Sequence, residues 1–323
     1  MLDDWGTRCP RWTGIRSEVV ELHGTRVHTL RGGDDVDGLP QLLVHGLGGS
    51  ASNWLEVLPA LARRGPVLAP DLPGFGRTEP PRTHAARVTA NARFLAALVA
   101  RVGWERVEVH GNSMGGQLSV LLAGQEPERV ARMVLVSPAL PAALRDAAQL
   151  DPATFRRFGP FLVPGIGTLL MKRAYARTTP EQLYSEFADY LHADRSRVSP
   201  ELEAVALENV ALGRDRPWRL PAFATAAQTT VRAVTSRRAL EQAIAAVTAP
   251  TLVVWGERDR LIGRPVIERI RALRPDWRIA VLDGVGHVPM VEAPERYLEV
   301  VDAWHGEIET DGDAAVTGPP RAV

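Results

Sequence analysis

Short apolar runs alternate with stretches of helical periodicity in the first part of the chain and again after Pro250. Val19–Leu22 and Arg26–Leu30, separated by a Gly-containing turn, predict an antiparallel hairpin. The remaining pattern predicts strands over Leu42–His45, Val67–Ala69, Val107–His110, Met133–Val136, Leu252–Trp255 and Arg278–Leu282, and helices over Trp54–Arg64, Ala85–Arg101, Met114–Gln125, Pro265–Leu273 and Pro294–Trp304. Strands that alternate with helices of this length indicate an α/β fold with a mostly parallel sheet covered on both faces.

A long segment without strand signals interrupts this alternation. Between Pro138 and Pro250 the apolar spacing and two Ser/Thr-Pro helix starts predict helices only. We therefore predict an N-terminal extension (1–17), an α/β core in two pieces (18–137 and 250–308), a helical cap (138–249) and a disordered tail rich in Gly, Pro and Ala (309–323).

Charge and cysteine content exclude several classes of protein. The 323 residues include 38 Lys and Arg against 38 Asp and Glu, so there is no basic surplus for nucleic acid and no overall support for adhesion to anionic membranes. Lys172 is the only lysine, and it does not lie in a Gly-rich phosphate-binding loop. The only cysteine, Cys9, excludes an intrachain disulfide and a cysteine-ligated zinc cluster.

The sequence predicts no membrane span. Its longest apolar run, Phe161–Met171, is far shorter than the roughly 20 residues that cross a bilayer, and its start lacks the apolar run of a signal peptide. We therefore expect a cytoplasmic protein, and the oligomeric state stays open.

The string Gly111-Asn112-Ser113-Met114-Gly115 fits the nucleophile-elbow pattern G-x-S-x-G between a predicted strand and a predicted helix. The tight turn strains the central residue, and the flanking glycines remove side chains that would clash. The helix start adds free N–H groups and the positive end of a helix dipole beside the hydroxyl. This context predicts that Ser113 is a nucleophile.

A serine nucleophile needs a base, and the base needs an orienting carboxylate. His287 follows the last predicted strand, and Asp259 follows the strand before it, so both lie at carboxyl ends of parallel strands. Asp283 is the main rival for the carboxylate, but it stands only four residues from the histidine in a tight loop. Glu257 and Asp146 are weaker rivals.

The other histidines are expected to play no catalytic part. His110 ends the strand before the elbow and is expected to be a packed neighbour. Five others are expected at the surface: His23, His28, His84, His192 and His305.

Acyl transfer also needs donors for the developing oxyanion. We expect these to be the backbone N–H of Met114 and, from the loop after the third predicted strand, that of Leu47. The stretch 46–51 of that loop also fits the dinucleotide pattern G-x-G-x-x-G/A, with Asp71 about 20 residues further on. That alternative leaves Ser113, Asp259 and His287 unexplained.

With these motifs, the chain resembles the α/β-hydrolase fold serine hydrolases that carry a helical cap. The resemblance covers about 18–304 and is weakest in the cap. Beyond the elbow it includes His45-Gly46, the turn Asp71–Thr78, the segment Trp255–Asp259, Gly286-His287 and Glu292-Ala293-Pro294. It implies an eight-stranded, mostly parallel sheet with the cap inserted after the sixth strand. It also implies that Ser113 is nucleophile, His287 base and Asp259 orienter, with Asp71 and Glu292 structural.

The resemblance says less about the reaction. Serine at the elbow argues against haloalkane dehalogenases and epoxide hydrolases, which use aspartate there. The string 111–116 is similar to that of carbon–carbon bond hydrolases of the meta-cleavage type, although the loop 46–49 lacks the proline usual in that subfamily. Perhydrolysis, acyl transfer and ligand binding without turnover remain further alternatives.

The predicted cap carries the one hint about substrate. Its apolar residues are Phe155, Phe158, Phe161, Leu162, Val163, Ile166, Leu169, Leu170 and Met171. They are expected to form either the cap's own core or an apolar wall for an acyl chain. We therefore expect a small-molecule ester, thioester or lactone with an apolar acyl group, and a reaction that needs no metal or organic cofactor.

Overall fold

A computed structural model of the chain describes residues 4–81, 86–142, 152, 154, 156, 159–163 and 165–317. Eight strands form one sheet in the order β1-β2-β4-β3-β5-β6-β7-β8. The strands are β1 Arg16–Leu22, β2 Thr25–Gly32, β3 Gln41–Val44, β4 Val67–Pro70, β5 Val107–Asn112, β6 Val130–Val136, β7 Thr251–Gly256 and β8 Arg278–Leu282. Each contains or overlaps a strand predicted from the sequence.

Pairing is antiparallel at one edge of the sheet and parallel elsewhere. β1 and β2 form the expected hairpin, β2 pairs antiparallel with β4, and every other neighbouring pair is parallel. Carboxyl ends of parallel strands meet at one edge of a sheet. The loops after β3, β5, β7 and β8 therefore converge there.

Both faces of the sheet are buried, as the continuous apolar runs predicted. Successive residues of a strand belong to opposite cores: Leu42 and Val44 pack on one face and Leu43 on the other. On β7, Val253 and Leu252 divide in the same way. This alternation follows from the twofold repeat of a strand.

Eleven α-helices lie within the part of the chain that the structure describes. They are α1 Leu58–Ala62, α2 Val88–Arg101, α3 Met114–Gln125, α4 Ile166–Arg177, α5 Pro180–Leu191, α6 Pro200–Arg214, α7 Arg219–Ser236, α8 Arg238–Ala246, α9 Arg264–Leu273, α10 Pro289–Glu292 and α11 Pro294–Thr317. The helix predicted over Trp54–Arg64 is instead a 3-10 turn at Ala51–Trp54 followed by the short α1. Pro59 explains the break, because proline favours the first turn of a helix over its interior.

The two ends of the chain differ from the sequence-based prediction. The segment 4–15 is not an appendage: Trp12 and Ile15 are fully buried against the sheet. The last helix, predicted to end at Trp304 before a disordered tail, runs to Thr317. The first proline after Pro294 is Pro319, and proline is not tolerated in a helix interior. Residues 318–323 lie outside the described residues.

Between β6 and β7 every regular element of the described residues is a helix. We call residues 159–246 the inserted segment. Thr179 and Ser199 start two of its helices with the side-chain caps that the sequence predicted. No helix of the described residues is both long and apolar enough to cross a membrane.

Candidate active site

Ser113 occupies a sharp turn between β5 and α3. Its backbone has φ 54° and ψ −114°, a conformation that costs a non-glycine residue on the order of 1–3 kcal/mol. A Cβ on Gly115 would lie 2.2 Å from the carbonyl oxygen of Val44, and one on Gly111 would lie 2.3 Å from Ser119 Oγ. Only glycine fits on both sides of this serine.

Backbone hydrogen bonds hold the strained residue. Ser113 N–H donates to Val136 O at 2.9 Å, and Ser113 O accepts from Ala139 N–H at 2.9 Å. Met114 is the first residue of α3, so its N–H has no carbonyl acceptor one turn earlier in the helix. An N–H group is thus available beside Ser113.

Asp259 and His287 meet at the carboxyl ends of β7 and β8. His287 Nδ1 lies 2.8 Å from Asp259 Oδ2, and both side chains are buried. Asp259 Oδ1 accepts from the N–H groups of Leu261 and Ile262 at 2.8 and 2.9 Å. Because a carboxylate only accepts, Nδ1 carries the hydrogen, and the neutral ring offers Nε2 as a base.

Within the described residues, His287 pairs with Asp259 and with neither Asp283 nor Glu257. Asp283 is exposed, and its backbone carbonyl accepts from Arg296 at 2.9 Å. Glu257 is exposed as well. Asp146 lies outside the described residues.

Ser113 and His287 line one cavity of about 780 Å3, together with both residues predicted for the oxyanion hole, Leu47 and Met114. The loop after β3 lies directly on Ser113, since a Cβ on Gly46 would be 3.2 Å from Ser113 Cβ. Within the described residues no hydrogen bond joins Ser113 Oγ to His287. Such bonds are often long before substrate binds.

Asp71 is fully engaged in the protein. Its carboxylate lies 2.7 Å from His28 Nδ1 and accepts from the N–H groups of Ala51 at 2.7 Å and Arg77 at 2.8 Å. Burial acts to raise the pKa of Asp71, but the His28 ring and these hydrogen bonds outweigh it and lower that pKa. This geometry favours a structural part for Asp71 over recognition of a ribose.

The cavity wall is mainly apolar and comes largely from the inserted segment. Its large apolar residues include Leu140, Met171, Phe187, Leu202, Phe223 and Val231. Among the described lining residues, Arg219 alone has a permanent charge. It is buried, donates to Gly48 O at 3.2 Å, and stacks over the Phe75 ring at 5.7 Å. Burial lowers the pKa of its guanidinium.

The expectation of surface positions was wrong for three histidines. His28, His192 and His305 are buried, whereas His23 is exposed; His84 lies outside the described residues. His192 lines the cavity, and its Nδ1 lies 2.8 Å from Ala188 O. Burial lowers the pKa of His192.

The apolar cluster predicted in the cap is divided in the structure. Phe161 is buried beside Phe223, and Met171 lines the cavity. Four members are neither core nor cavity wall but exposed to solvent: Val163, Ile166, Leu169 and Leu170. Phe155 and Phe158, and the side chain of Leu162, lie outside what the structure describes.

Two further residues tie His287 in place. The amide of Asn112 donates to Val136 O and to His287 O, each at 3.2 Å. The buried carboxylate of Glu292 accepts from the N–H groups of Gly286, at 2.8 Å, and of 193 and 194 in the inserted segment. The sequence shows both residues inside motifs but not these distant partners.

Comparison with known proteins agrees with this architecture. Residues 42–294 match the profile of the family described as alpha/beta hydrolase fold. Lipase 3 of Moraxella sp. (strain TA144) is 30% identical over 268 residues, which cover 80% of this chain and 75% of the lipase. A 2-hydroxy-6-oxononadienedioate/2-hydroxy-6-oxononatrienedioate hydrolase of Cupriavidus pinatubonensis (strain JMP 134 / LMG 1197) is 28% identical over 264 residues, with 80% and 84% coverage.

A solved structure adds to these relatives. The crystal structure of a membrane phospholipase A, described as a bacterial virulence factor, superposes with a TM-score of 0.72 at 27% identity and covers 92% of this chain and 87% of its own. The family profile spans well over half of this chain. The chain therefore belongs to the alpha/beta hydrolase fold family and is a hydrolase of that fold.

Proposed function

We propose that this enzyme hydrolyses carboxylic esters with an apolar acyl group through an acyl-enzyme on Ser113. The observation that carries the proposal is the buried contact between His287 Nδ1 and Asp259 Oδ2 at 2.8 Å, beside the strained Ser113 in the same cavity. Thioesters and lactones share the carbonyl chemistry and belong to the same proposal.

Acylation begins when Ser113 Oγ attacks the carbonyl carbon and His287 Nε2 takes the hydroxyl proton. Asp259 keeps Nδ1–H in place and stabilises the imidazolium that forms. The oxyanion is stabilised by the backbone N–H groups of Leu47 and Met114. His287 then gives its proton to the departing alkoxide, which leaves as the alcohol.

Deacylation repeats these steps with water as the nucleophile. His287 takes a proton from the water, the hydroxide adds to the acyl carbon, and Ser113 Oγ leaves and recovers the proton from His287. The products are one carboxylic acid and one alcohol, and every atom comes from ester and water. The side chains and backbone groups named here suffice for these steps.

The cavity supports an apolar acyl group. Its volume of about 780 Å3 lies within the range of small-molecule sites, roughly 300–1,000 Å3, and its walls are mainly aliphatic and aromatic. Similarity to Lipase 3 of Moraxella also favours an ester over an amide.

Covalent labelling tests the proposal most directly. A fluorophosphonate probe reacts only with an activated serine, so wild type should carry the phosphonyl adduct on the Ser113 peptide. Ser113→Ala and His287→Ala should remove it, whereas Ser52→Ala, which removes another cavity hydroxyl, should retain it. A folded wild-type protein without the adduct would overturn the proposal and favour ligand binding without turnover.

Carbon–carbon bond hydrolysis is the second candidate. It is favoured by similarity to the Cupriavidus hydrolase, whose name specifies a dicarboxylate, and by the buried cation Arg219 in the cavity wall. Steady-state rates on nitrophenyl esters of increasing chain length and on a dienedioate ring-fission product separate the two. If kcat/KM is higher on the dienedioate and Ser113 is labelled, carbon–carbon bond hydrolysis replaces ester hydrolysis as the proposed reaction.

A further inference from the structure

Helix α4 of the inserted segment and the turn before it carry an unusual apolar surface. Within the described residues, only five large hydrophobic side chains are strongly exposed, and four of them fall between 163 and 170. They are Val163 at 49%, Ile166 at 45%, Leu169 at 48% and Leu170 at 46% exposed. We call these four residues the α4 apolar surface. A contiguous exposed group of this kind marks an interaction site more often than scattered single residues do.

Helical geometry separates this surface from the cavity. Ile166, Leu169 and Leu170 stand at positions i, i+3 and i+4 and therefore share one side of α4. Met171 and Tyr175, on the other side, line the cavity. One helix thus presents a cavity wall inward and leucine and isoleucine side chains outward.

The charged residues of this region are all positive. Residues 152–180 contain five cations and no Asp or Glu, in a chain whose overall charge is zero. Arg173 and Arg177 stand one and two turns beyond Leu169 on the outer side of α4, and Lys172 lies beside them. All three are exposed, and none forms an ion pair in the described structure.

We propose that the α4 apolar surface docks onto an anionic phospholipid bilayer. Leu169 and Leu170 would enter the boundary between headgroups and acyl chains, while Lys172, Arg173 and Arg177 face the phosphates. Exposed apolar residues beside cations on one helix are the pattern by which helices bind at membrane interfaces without spanning them. Near an anionic surface each cation raises the membrane partition coefficient of the protein by about fivefold.

The charge also argues against self-association through this surface. In a twofold dimer the same patch of each copy faces the other, so the interface would bring together Lys172, Arg173 and Arg177 of both copies. No acid within 152–180 is present to neutralise them. A lipid phosphate complements the patch where a second copy repels it. This proposal does not depend on the proposed ester hydrolysis, since it concerns binding alone.

Vesicle sedimentation tests the docking surface. Wild type should co-sediment with vesicles of 70% phosphatidylcholine and 30% phosphatidylglycerol, and at least tenfold less with pure phosphatidylcholine. Leu169→Ser/Leu170→Ser and Lys172→Glu/Arg173→Glu should each lower the partition coefficient on anionic vesicles at least tenfold. Val281→Ser is the matched control, because Val281 is 41% exposed on β8, away from α4, and should bind like wild type.

Since Lys172 is the only lysine, amine acylation gives a second readout on the native protein. Anionic vesicles should slow acetylation of Lys172 severalfold, relative to acetylation of the α-amino group in the same sample. Neither leucine lines the cavity, so hydrolysis of a soluble short-chain ester should stay unchanged in Leu169→Ser/Leu170→Ser and report on folding.

Three results would overturn the proposal. The first is a wild-type protein that does not sediment with anionic vesicles, and the second is equal binding to both vesicle compositions. The third is a wild-type dimer that becomes a monomer in Leu169→Ser/Leu170→Ser. A protein that binds vesicles but hydrolyses no ester would overturn the proposed function and leave this inference intact.

Discussion

The side-chain amide of Asn112 donates a hydrogen bond to the backbone carbonyl of His287 at 3.2 Å. The residue that precedes the nucleophile in the chain thus holds the residue proposed as its base, 175 positions away. A second bond from the same amide, to Val136 O at 3.2 Å, fixes its orientation. The elbow and the histidine loop are therefore positioned together.

Asn112→Ala should lower kcat on a nitrophenyl ester by roughly 10- to 100-fold. Without this bond His287 shifts slightly, and proton transfer between His287 and Ser113 becomes slower. Fluorophosphonate labelling of Ser113 should slow by a similar factor, with little change in KM. Asn53→Ala removes another amide from the cavity wall without touching His287 and serves as the control. An unchanged labelling rate in Asn112→Ala would contradict this positioning role.

Glu292→Ala should destabilise the protein by about 3 kcal/mol or more, because it leaves three backbone N–H groups of 286, 193 and 194 without their acceptor. Glu292→Gln keeps one acceptor oxygen and should lose less. The free energy of unfolding in urea measures both. Glu295→Gln changes an exposed carboxylate three residues later and should behave like wild type; equal stability of Glu292→Ala would show that these bonds contribute nothing.

His45 should make stability fall as the solution becomes acidic. Its Nδ1 lies 2.7 Å from Gly46 O, which only accepts, so Nε2 is the acceptor for Leu72 N–H at 3.0 Å. Protonation of Nε2 would break the hydrogen bond from Leu72 N–H. Burial lowers the pKa of His45 from 6.5 to about 4. Between pH 6.5 and 4 the unfolded chain binds a proton that the folded protein does not, so folding loses on the order of 3 kcal/mol across that window.

Urea unfolding at pH 7.5, 6.0 and 5.0 measures this slope. Burial also lowers the pKa values of His110 and His192, so the wild-type slope contains their contributions in the same direction. In His45→Gln the free energy of unfolding should depend less steeply on pH, because one fewer histidine takes up a proton on unfolding. Parallel slopes in wild type and variant would rule out a contribution from His45.

Ala206→Trp should shorten the preferred acyl chain. Ala206 lies on α6 and lines the cavity, so an indole there takes space from a long chain but leaves room for a short one. The ratio of kcat/KM for octanoate to that for butyrate nitrophenyl esters should fall at least tenfold. Ala211→Trp, on the exposed side of the same helix, should leave that ratio unchanged. An unchanged ratio in Ala206→Trp would place the acyl chain elsewhere.

The sequence alone predicted the eight strands, the turn at Ser113 and the order of the three proposed catalytic residues. These features depend on short-range rules: apolar spacing predicts each strand, and glycine at 111 and 115 is required by contacts of 2.2–2.3 Å around one turn. Parallel pairing then brings the ends of β5, β7 and β8 to one edge, whatever the loops between them contain.

Contacts between segments far apart in the chain were decided only by the tertiary structure. The partners of Glu292, the place of Arg219 in the cavity and the burial of His192 depend on how the inserted segment packs on the sheet. The exposure of Leu169 and Leu170 is the same kind of fact. Periodicity tells that an apolar side of a helix exists, but whether another element covers it is set by packing between elements, which no local spacing encodes.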